Sequence, residues 1–209
     1  TYLKVAIKAV ESGVFSTYAT SELKPGNFIE ISEPEGKFIL EPKSNKNYIA
    51  FAAGSGITPI LSMVKDVLAS ESSSTFTLIY GNKTVADTIF KKELDALKEE
   101  NSERFNLHYV YSREQVEDSL FGRINKTNTN SFINSTYKNT NFNAAYLYGP
   151  EEMIKEVSAT LSEHGFPDEN IYFELFTASI DETAVSEIQE GSTEVTVLLD
   201  DEETTFIMK

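Results

Sequence analysis

Short apolar runs alternate with longer amphipathic segments from residue 47 onwards. A short run bounded by turn residues is typical of a buried strand, and apolar residues that recur every three or four positions are typical of a helix. Strands that alternate with helices form parallel sheets, because each helix returns the chain to the same end of the sheet. The pattern therefore predicts an α/β fold with a doubly wound, five-stranded parallel sheet at residues 48–53, 75–80, 105–111, 144–148 and 171–176.

The helix after the first predicted strand has clear start signals. Thr58 precedes its apolar face in the position of an N-cap, and Pro59 follows at the first helical position, where a missing N–H costs nothing. Further helices are predicted at residues 90–100 and 153–164, the second ended by Gly165. Residues 125–143 are rich in Asn, Thr and Ser, so we expect a surface excursion with one helical turn near Phe132.

The two ends of the chain carry a different pattern. Residues 3–10 and 28–31 alternate apolar and polar positions between turn signals, so we expect part of an antiparallel β-barrel over residues 1–45. Residues 46–177 then form the α/β domain, and the polar residues 178–192 form a linker. Strand-like runs at 193–199 and 204–208 predict a hairpin, and we expect residues 193–209 to open a further domain, because a lone hairpin is marginally stable.

Composition excludes several classes of function. The 209 residues carry a formal net charge of −15 without a visible basic patch, so no nucleic-acid partner is expected. No apolar stretch approaches the roughly 20 residues of a membrane-spanning helix, and no signal-peptide pattern is present, so we expect a cytoplasmic protein without a membrane partner. Cysteine is absent, which excludes thiolate catalysis and cysteine-ligated metal within these residues. The two histidines lack convergent partners, so no metal site is predicted.

The clearest candidate for chemistry is the turn of sequence GSGITP at residues 54–59. Glycines between a buried strand and a helix let the backbone approach a pyrophosphate, and the helix N-terminus offers N–H groups and partial positive charge to it. A tight turn without any ligand is the alternative interpretation. The position at the carboxyl end of the first parallel strand favours nucleotide binding.

This turn and five later blocks resemble the ferredoxin–NADP reductase superfamily. The blocks are YGNKT from Tyr80, YSRE from Tyr111, GRI from Gly122, YGPEEM from Tyr148 and YFELF from Tyr172. Residues 13–16 and 24–26 resemble the second half of the flavin-binding barrel of that superfamily, and the last hairpin resembles the opening of a ferredoxin-like β-grasp domain. The three-part order is similar to that of reductase components of multicomponent oxygenases, including the phenylacetate-degrading branch.

The resemblance implies an NAD(P)H-dependent oxidoreductase that passes electrons from NADP(H) through FAD to a 2Fe-2S centre and then to an oxygenase component. It implies that pyrophosphate and nicotinamide lie on Gly54, Ser55, Gly56, Thr58 and Pro59. It implies that the nicotinamide pocket is shaped by Gly149, Pro150 and Met153. It implies that the flavin diphosphate contacts Ser12, Gly13 and Ser16.

Two further sets of residues concern catalysis and the choice of cofactor. Glu174 and Thr58 are the candidate catalytic residues, and Phe176, on the same strand face as Glu174, is expected beside the flavin ring by resemblance. The adenosine phosphate is expected on Lys83, Thr84, Ser112 and Arg113. Basic and hydroxyl groups at the end of the second strand suit a 2′-phosphate, whereas an acidic residue there suits the ribose hydroxyl of NAD. These residues therefore favour NADP over NAD, although each alone is also typical of a solvated surface.

Three departures from the superfamily pattern leave alternatives open. Tyr148 stands where a cysteine usually precedes Gly149, no flavin-binding Arg-x-Tyr-Ser block is present, and the ferredoxin cysteines are absent. The chain is therefore either part of a complete reductase or a nucleotide-binding fragment that is catalytically incomplete. A flavohaemoprotein-like reductase, or one of the dihydroorotate dehydrogenase electron-transfer type, would share the same nucleotide blocks.

Overall fold

A computed structural model describes residues 12–31, 33 and 36–175, together with residues 5, 7 and 9 and two strands at 193–199 and 202–208. The chain divides into two units, Thr1–Phe176 and Thr177–Lys209. Most of the predicted strand at residues 3–10, the predicted linker and Phe176 lie outside the described residues.

Six parallel strands form the sheet of the first unit, in the order β4-β3-β2-β1-β5-β6. The strands are β1 Asn47–Ala53, β2 Thr75–Asn82, β3 Phe105–Tyr111, β4 Leu120–Phe121, β5 Ala144–Gly149 and β6 Ile171–Leu175. The direction of winding reverses at β1, so a crevice opens at the carboxyl ends of β1 and β5. The predicted doubly wound fold is confirmed, but the sheet has one more strand than predicted. The additional strand, β4, was not predicted because it has only two residues and both are exposed.

Helices cover both faces of this sheet. Those among the described residues are α1 Val14–Ser21, α2 Ile57–Ser70, α3 Lys91–Glu100, α4 Lys126–Ser131 and α5 Glu151–Glu163. α2 and α3 pack on one face, against a core that includes Leu78 and Tyr80. α5 and the segment after α4 pack on the other face, against a core that includes Ile79 and Leu147. Successive residues of β2 thus enter two cores, which explains why Leu78, Ile79 and Tyr80 are consecutive and all buried.

The start of α2 corrects the prediction for Thr58. A 3₁₀ turn over Gly54–Gly56 leads directly into α2, and Gly56 already has helical backbone angles, φ −61° and ψ −7°. The helix therefore begins at Ile57 without a side-chain cap, and the prediction that Thr58 is its N-cap is wrong. Pro59 is the third helical residue rather than the first, still within the turn whose N–H groups lack helical partners.

Residues 125–143 contain more structure than the predicted surface excursion. The Asn125 side chain accepts a hydrogen bond from the N–H of Asn128 and caps α4, which continues into a π-helical turn at Phe132–Thr136. Phe132 and Phe142 are buried. The polar composition did not indicate this structure, because only a few aromatic residues of the segment pack into the core. Asn125, one of its many polar residues, caps a helix instead.

The described residues between 12 and 46 contain α1 and no strand, so the paired strand predicted at residues 28–31 is wrong for the described structure. The backbone there has no strand partner among the described residues, and a strand exists only where another strand satisfies its N–H and C=O groups. Phe28 is 98 % exposed, as expected for an apolar side chain without a sheet to cover it.

The second unit contains the predicted hairpin. β7 Thr193–Leu199 pairs with β8 Glu202–Met208 in antiparallel register, with Thr193 opposite Met208. In the part of the chain that the structure describes, no helix has both the length and the apolar character to cross a bilayer.

Candidate functional site at the carboxyl edge of the sheet

The sheet gathers most of the predicted site residues at one edge. The glycine-rich turn follows β1, Lys83 follows β2, Ser112 follows β3 and Pro150 follows β5, while Glu174 lies near the end of β6. Because all strands are parallel, their carboxyl ends meet at the same edge. The edge has two parts, which we call the turn half, residues 53–59 with residues 149–153, and the basic half, residues 82–84 with residues 111–113.

Gly54 gives the turn half its shape. Its φ of +54° is left-handed, and a Cβ placed on it would meet no atom within 4 Å. The Ile57 N–H donates to the Gly54 and Ser55 carbonyls, and the Thr58 hydroxyl donates to the Ser55 carbonyl at 3.2 Å. The result is an open backbone loop at the N-terminus of α2, where N–H groups and the helix dipole favour an anion.

Gly56 serves a different purpose from Gly54. A Cβ on Gly56 would lie 2.7 Å from Cδ1 of Tyr148 and nearer still to the Tyr148 carbonyl oxygen. The turn therefore presses directly on the backbone of β5, and only glycine allows that approach. Its packing role is explained without a ligand, whereas the open space at Gly54 leaves room for one.

Gly149 and Met153 pack against each other beneath the same edge. A Cβ on Gly149 would lie 2.6 Å from Cε of Met153 and 3.1 Å from Cβ of Ala53. Met153 is buried in the core on the α5 face, so it can shape the site only through Gly149. Pro150 is exposed and immediately precedes α5, whose first residues are Glu151 and Glu152. Two carboxylates at that helix start disfavour an anion there, whereas the first turn of α2 contains no acidic residue.

Backbone pairing brings the basic half together. The Arg113 N–H donates to the Lys83 carbonyl at 2.9 Å, and the Ser112 N–H donates to the Asn82 carbonyl at 3.0 Å. The side chains of Lys83 and Arg113 are exposed, and among the described residues neither is engaged in an ion pair. Two cations at the ends of adjacent strands can meet a phosphate from the same side.

The Thr84 side chain, unlike those of Lys83 and Arg113, is engaged in hydrogen bonds within its own loop. Its hydroxyl donates to the Asp87 carboxylate at 2.9 Å and accepts from the Asp87 N–H at 3.3 Å. Glu114 accepts from the Val85 N–H at 2.8 Å in the same loop. The Thr84 hydroxyl thus stabilises the loop, which is a structural role that its position in the sequence did not indicate.

Glu174 lies beside Tyr148. The two residues are register partners on β6 and β5, and the Phe38 ring lies 5.7 Å from the Tyr148 ring. Burial raises the pKa of Tyr148, and the nearby Glu174 carboxylate raises it further. Glu174 also lines an open groove of about 310 Å³ with Lys37, Phe38 and Tyr172. The aromatic and carboxylate groups thus flank the turn half on its β6 side.

The predicted flavin-contacting residues stand apart in the fold, around the start of α1. Ser12 has a left-handed φ of 62°, and Gly13 directly precedes the helix. Ser16 lies in its first turn, and α1 buries none of its residues. Ser12 is exposed, Gly13 and Ser16 are half-buried, and the flavin contact stays a prediction.

Two residues of the site were not identified from sequence. The Tyr80 hydroxyl donates to the Gly54 carbonyl at 2.8 Å, although the Tyr80 side chain is fully buried. Asn82, at the end of β2, has a buried amide nitrogen without a hydrogen-bond partner among the described residues. The available signal was chemical: a tyrosine or asparagine inside an apolar strand needs a partner for its polar group.

Comparison with known proteins gives a consistent result. Residues 51–159 match the model of the oxidoreductase NAD-binding domain. The chain is 36 % identical over 177 residues to one component of the 1,2-phenylacetyl-CoA epoxidase of Escherichia coli (strain K12), covering 83 % of this chain and 50 % of that protein. It is 32 % identical over 173 residues to NADH-cytochrome b5 reductase 1 of Dictyostelium discoideum, covering 82 % and 59 % of the two proteins.

The fold is also found among solved structures. A ferredoxin NADP⁺ reductase from Neisseria gonorrhoeae with bound FAD and NADP aligns with a TM-score of 0.67 at 23 % identity, over 80 % of this chain and 72 % of that one. At that identity the likeness concerns the fold alone. The chain spans about half the length of the curated relatives it matches.

Proposed function

We propose, from the premise that this chain belongs to the oxidoreductase NAD-binding domain family, that it is the dinucleotide-binding part of an NAD(P)H-dependent flavin reductase. One observation carries the proposal: the open turn at Gly54 enters α2 at the point where the winding of the sheet reverses. Dinucleotides bind in this crevice in doubly wound folds, with the pyrophosphate at the helix N-terminus.

The residues of the site fit NADP better than NAD. Lys83 and Arg113 present two exposed cations at the ends of β2 and β3, and no acidic residue occupies the position after β2. The nearby carboxylates are engaged: Asp87 accepts from the Thr84 hydroxyl within the loop after β2, and Glu114, from the loop after β3, accepts from the Val85 N–H. Lys83 and Arg113 would therefore hold the 2′-phosphate, with Ser112 beside them.

In the reaction, the chain would orient the nicotinamide and exclude water from it. Bound NADPH supplies a hydride from its nicotinamide ring. Gly149, supported by Met153, would form the floor under the ring, and Tyr148 would limit how far it enters beside Gly56. Glu174 is positioned on the Tyr148 side to orient the ring or relay a proton, and Thr58 holds the Ser55 carbonyl of the turn.

We further propose FAD as the hydride acceptor and an oxygenase component as the final partner, with phenylacetate degradation as the setting. The support is the 36 % identity to the component of phenylacetyl-CoA epoxidase. At the start of α1, Ser12 is exposed and Gly13 and Ser16 are half-buried, and we assign these three residues to a flavin phosphate. These 209 residues contain no cysteine and so do not fit a 2Fe-2S cluster, whose thiolate ligands would have to come from elsewhere in the whole protein.

Calorimetric titration of the purified chain tests the proposal. NADPH and 2′-phospho-ADP-ribose should both bind with one site per chain, and NADH should bind more weakly. A chain that binds none of these would contradict the proposed function. A chain that binds NADH as tightly as NADPH would contradict only the assignment of Lys83 and Arg113.

A second candidate is a nucleotide-binding module without catalysis of its own. It is favoured by one observation, namely that these 209 residues contain no Arg-x-Tyr-Ser block for a flavin. Flavin absorbance and NADPH-driven dye reduction, measured on the purified chain with added FAD, separate the two candidates. Flavin retention with dye reduction supports catalysis by these residues, and nucleotide binding without either supports the module. Dye reduction also leaves open a flavohaemoprotein-like or dihydroorotate-type acceptor.

A further inference from the structure

Gly54 has no side chain that could fix the conformation of the anion-binding turn. Its φ is left-handed at +54°, and no atom lies within 4 Å of the place where a Cβ would stand, so no side-chain contact holds it there. Glycine also loses more conformational freedom on ordering than any other residue. A turn that binds a phosphate through backbone N–H groups therefore needs something else to fix this residue.

Tyr80 supplies that constraint. Its side chain is fully buried, its ring packs 6.3 Å from the ring of Tyr109, and its hydroxyl donates to the Gly54 carbonyl at 2.8 Å. Burial raises the pKa of Tyr80 well above its ordinary value, so the hydroxyl keeps its proton and remains a donor. Phenylalanine would fill the same core volume, so the hydroxyl itself calls for an explanation beyond packing.

The geometry of a peptide unit links this hydrogen bond to the site. The Gly54 carbonyl and the Ser55 N–H belong to one planar trans peptide, in which the C=O and N–H point in opposite directions. The carbonyl is held inward by the Tyr80 hydroxyl and also accepts from the Ile57 N–H. Fixing it inward therefore directs the Ser55 N–H outward, away from the core.

We infer that Tyr80 is a positioning residue that aims the Ser55 N–H at the pyrophosphate of the bound dinucleotide. The inference rests on the proposed function and deepens it, because it identifies the contact that holds the turn in its binding conformation before the nucleotide binds. Tyr80 touches no ligand itself. It acts from β2 on the turn that follows β1, across 26 residues of sequence.

Tyr80→Phe tests the inference, with Tyr48→Phe as the matched control. Tyr48 is also a buried tyrosine on the same face of the sheet, but it lies on β1 at the opposite end, where its hydroxyl accepts from the Lys43 N–H at 3.1 Å. Two probes divide the site: ADP-ribose contains the pyrophosphate, and 2′-AMP carries only the adenosine with its 2′-phosphate. Affinities are measured by calorimetry and by NMR titration.

Tyr80→Phe should weaken ADP-ribose binding roughly five- to tenfold, the range expected for loss of one hydrogen bond that orders a binding group. It should leave 2′-AMP binding within twofold, and Tyr48→Phe should change neither. Unchanged ADP-ribose affinity in Tyr80→Phe would overturn the inference. An equal loss for both probes would also overturn it, because it would indicate general disruption of the fold.

Amide NMR of the unsubstituted chain provides a second measurement that does not depend on how Tyr80→Phe folds. The Ser55 amide resonance should be among those that shift most when inorganic pyrophosphate is added. In Tyr80→Phe the Ser55 amide should exchange its hydrogen with solvent faster than in the unsubstituted chain. This local readout is needed because a change in melting temperature would not distinguish a positioning role from a merely structural one. If the Ser55 amide resonance does not shift when pyrophosphate is added, the inference is overturned. If the unsubstituted chain binds no ADP-ribose, the proposed function on which the inference rests is overturned.

Discussion

The two halves of the carboxyl edge are built in opposite ways. In the turn half, close packing fixes the shape: Gly56 lies against the Tyr148 carbonyl, and Gly149 lies against the Met153 side chain. In the basic half, the backbone is paired but Lys83 and Arg113 extend into solvent. The first arrangement offers a fixed shape, and the second offers charge on flexible side chains. We propose that the turn half supplies affinity common to all dinucleotides, while the basic half distinguishes among them.

The largest expected effect separates the two glycines of the turn. Gly56→Ala should lower the free energy of unfolding by about 3 kcal/mol, because the new Cβ meets the Tyr148 backbone, which cannot move aside as a side chain could. Gly54→Ala, where space is open, should cost only about 1 kcal/mol for the left-handed φ. Urea unfolding of both variants provides the measurement, and equal losses would show that the turn does not depend on contact with β5.

The basic half is tested by removing its charges. Lys83→Ala combined with Arg113→Ala should weaken NADPH binding about tenfold, a moderate figure because both cations are exposed, and should leave NADH binding within about twofold. The matched control is Lys43→Ala with Lys138→Ala, which removes the same charge from two exposed lysines outside the site. Titration calorimetry gives all the affinities. Equal weakening of NADPH and NADH would mean that the pair provides only general attraction.

Thr84 should behave as part of the scaffold although it lies in the basic half. Thr84→Val removes the hydroxyl that bonds to Asp87 and should cost about 1 kcal/mol of stability. The ratio of NADPH to NADH affinity should not change, and Thr84→Ser should restore the stability. If Thr84→Val changes the ratio of NADPH to NADH affinity but not the free energy of unfolding, Thr84 contacts the cofactor rather than stabilising the loop.

Salt should produce the smallest difference. Raising the ionic strength from low to above physiological values should weaken NADPH binding on the order of threefold more than NADH binding, because only the 2′-phosphate meets exposed cations. In the Lys83→Ala, Arg113→Ala variant, the dependence of NADPH affinity on ionic strength should fall to that of NADH affinity. Parallel slopes for the two nucleotides in the unsubstituted chain would contradict the division between the halves.

Periodicity and turn signals were sufficient to predict the parallel sheet and to place most of the candidate site residues at one edge of it. β1, β2 and β5 are largely buried runs, and strand ends in a parallel sheet share one edge, so Gly54, Lys83 and Arg113 could be grouped from the sequence. β4 escaped prediction because two exposed residues have no period. The helix start at Ile57 was missed because the 3₁₀ turn before it replaces a capping side chain.

The contacts that tune the site could not be predicted in the same way. Tyr80 reaches Gly54 across 26 residues, and nothing local in β2 indicates that partner. The pressure of Gly56 on Tyr148 likewise depends on how closely the turn approaches β5, which is a property of packing rather than of pattern. Local signals therefore identify the strands and the edge, and tertiary contacts decide which residues remain free for a ligand.

The position of β1 has a consequence for the order of folding. Its pairing with β2 places Asn47 opposite Thr75, 28 residues away, whereas its pairing with β5 places Tyr48 opposite Ala144, 96 residues away. Closing the longer loop costs more chain entropy, so β5 should dock after the first two strands have paired. The turn reaches its final shape only against Tyr148 of β5. Nucleotide binding during refolding should therefore report one of the last steps of assembly, which a stopped-flow experiment with a fluorescent nucleotide can time.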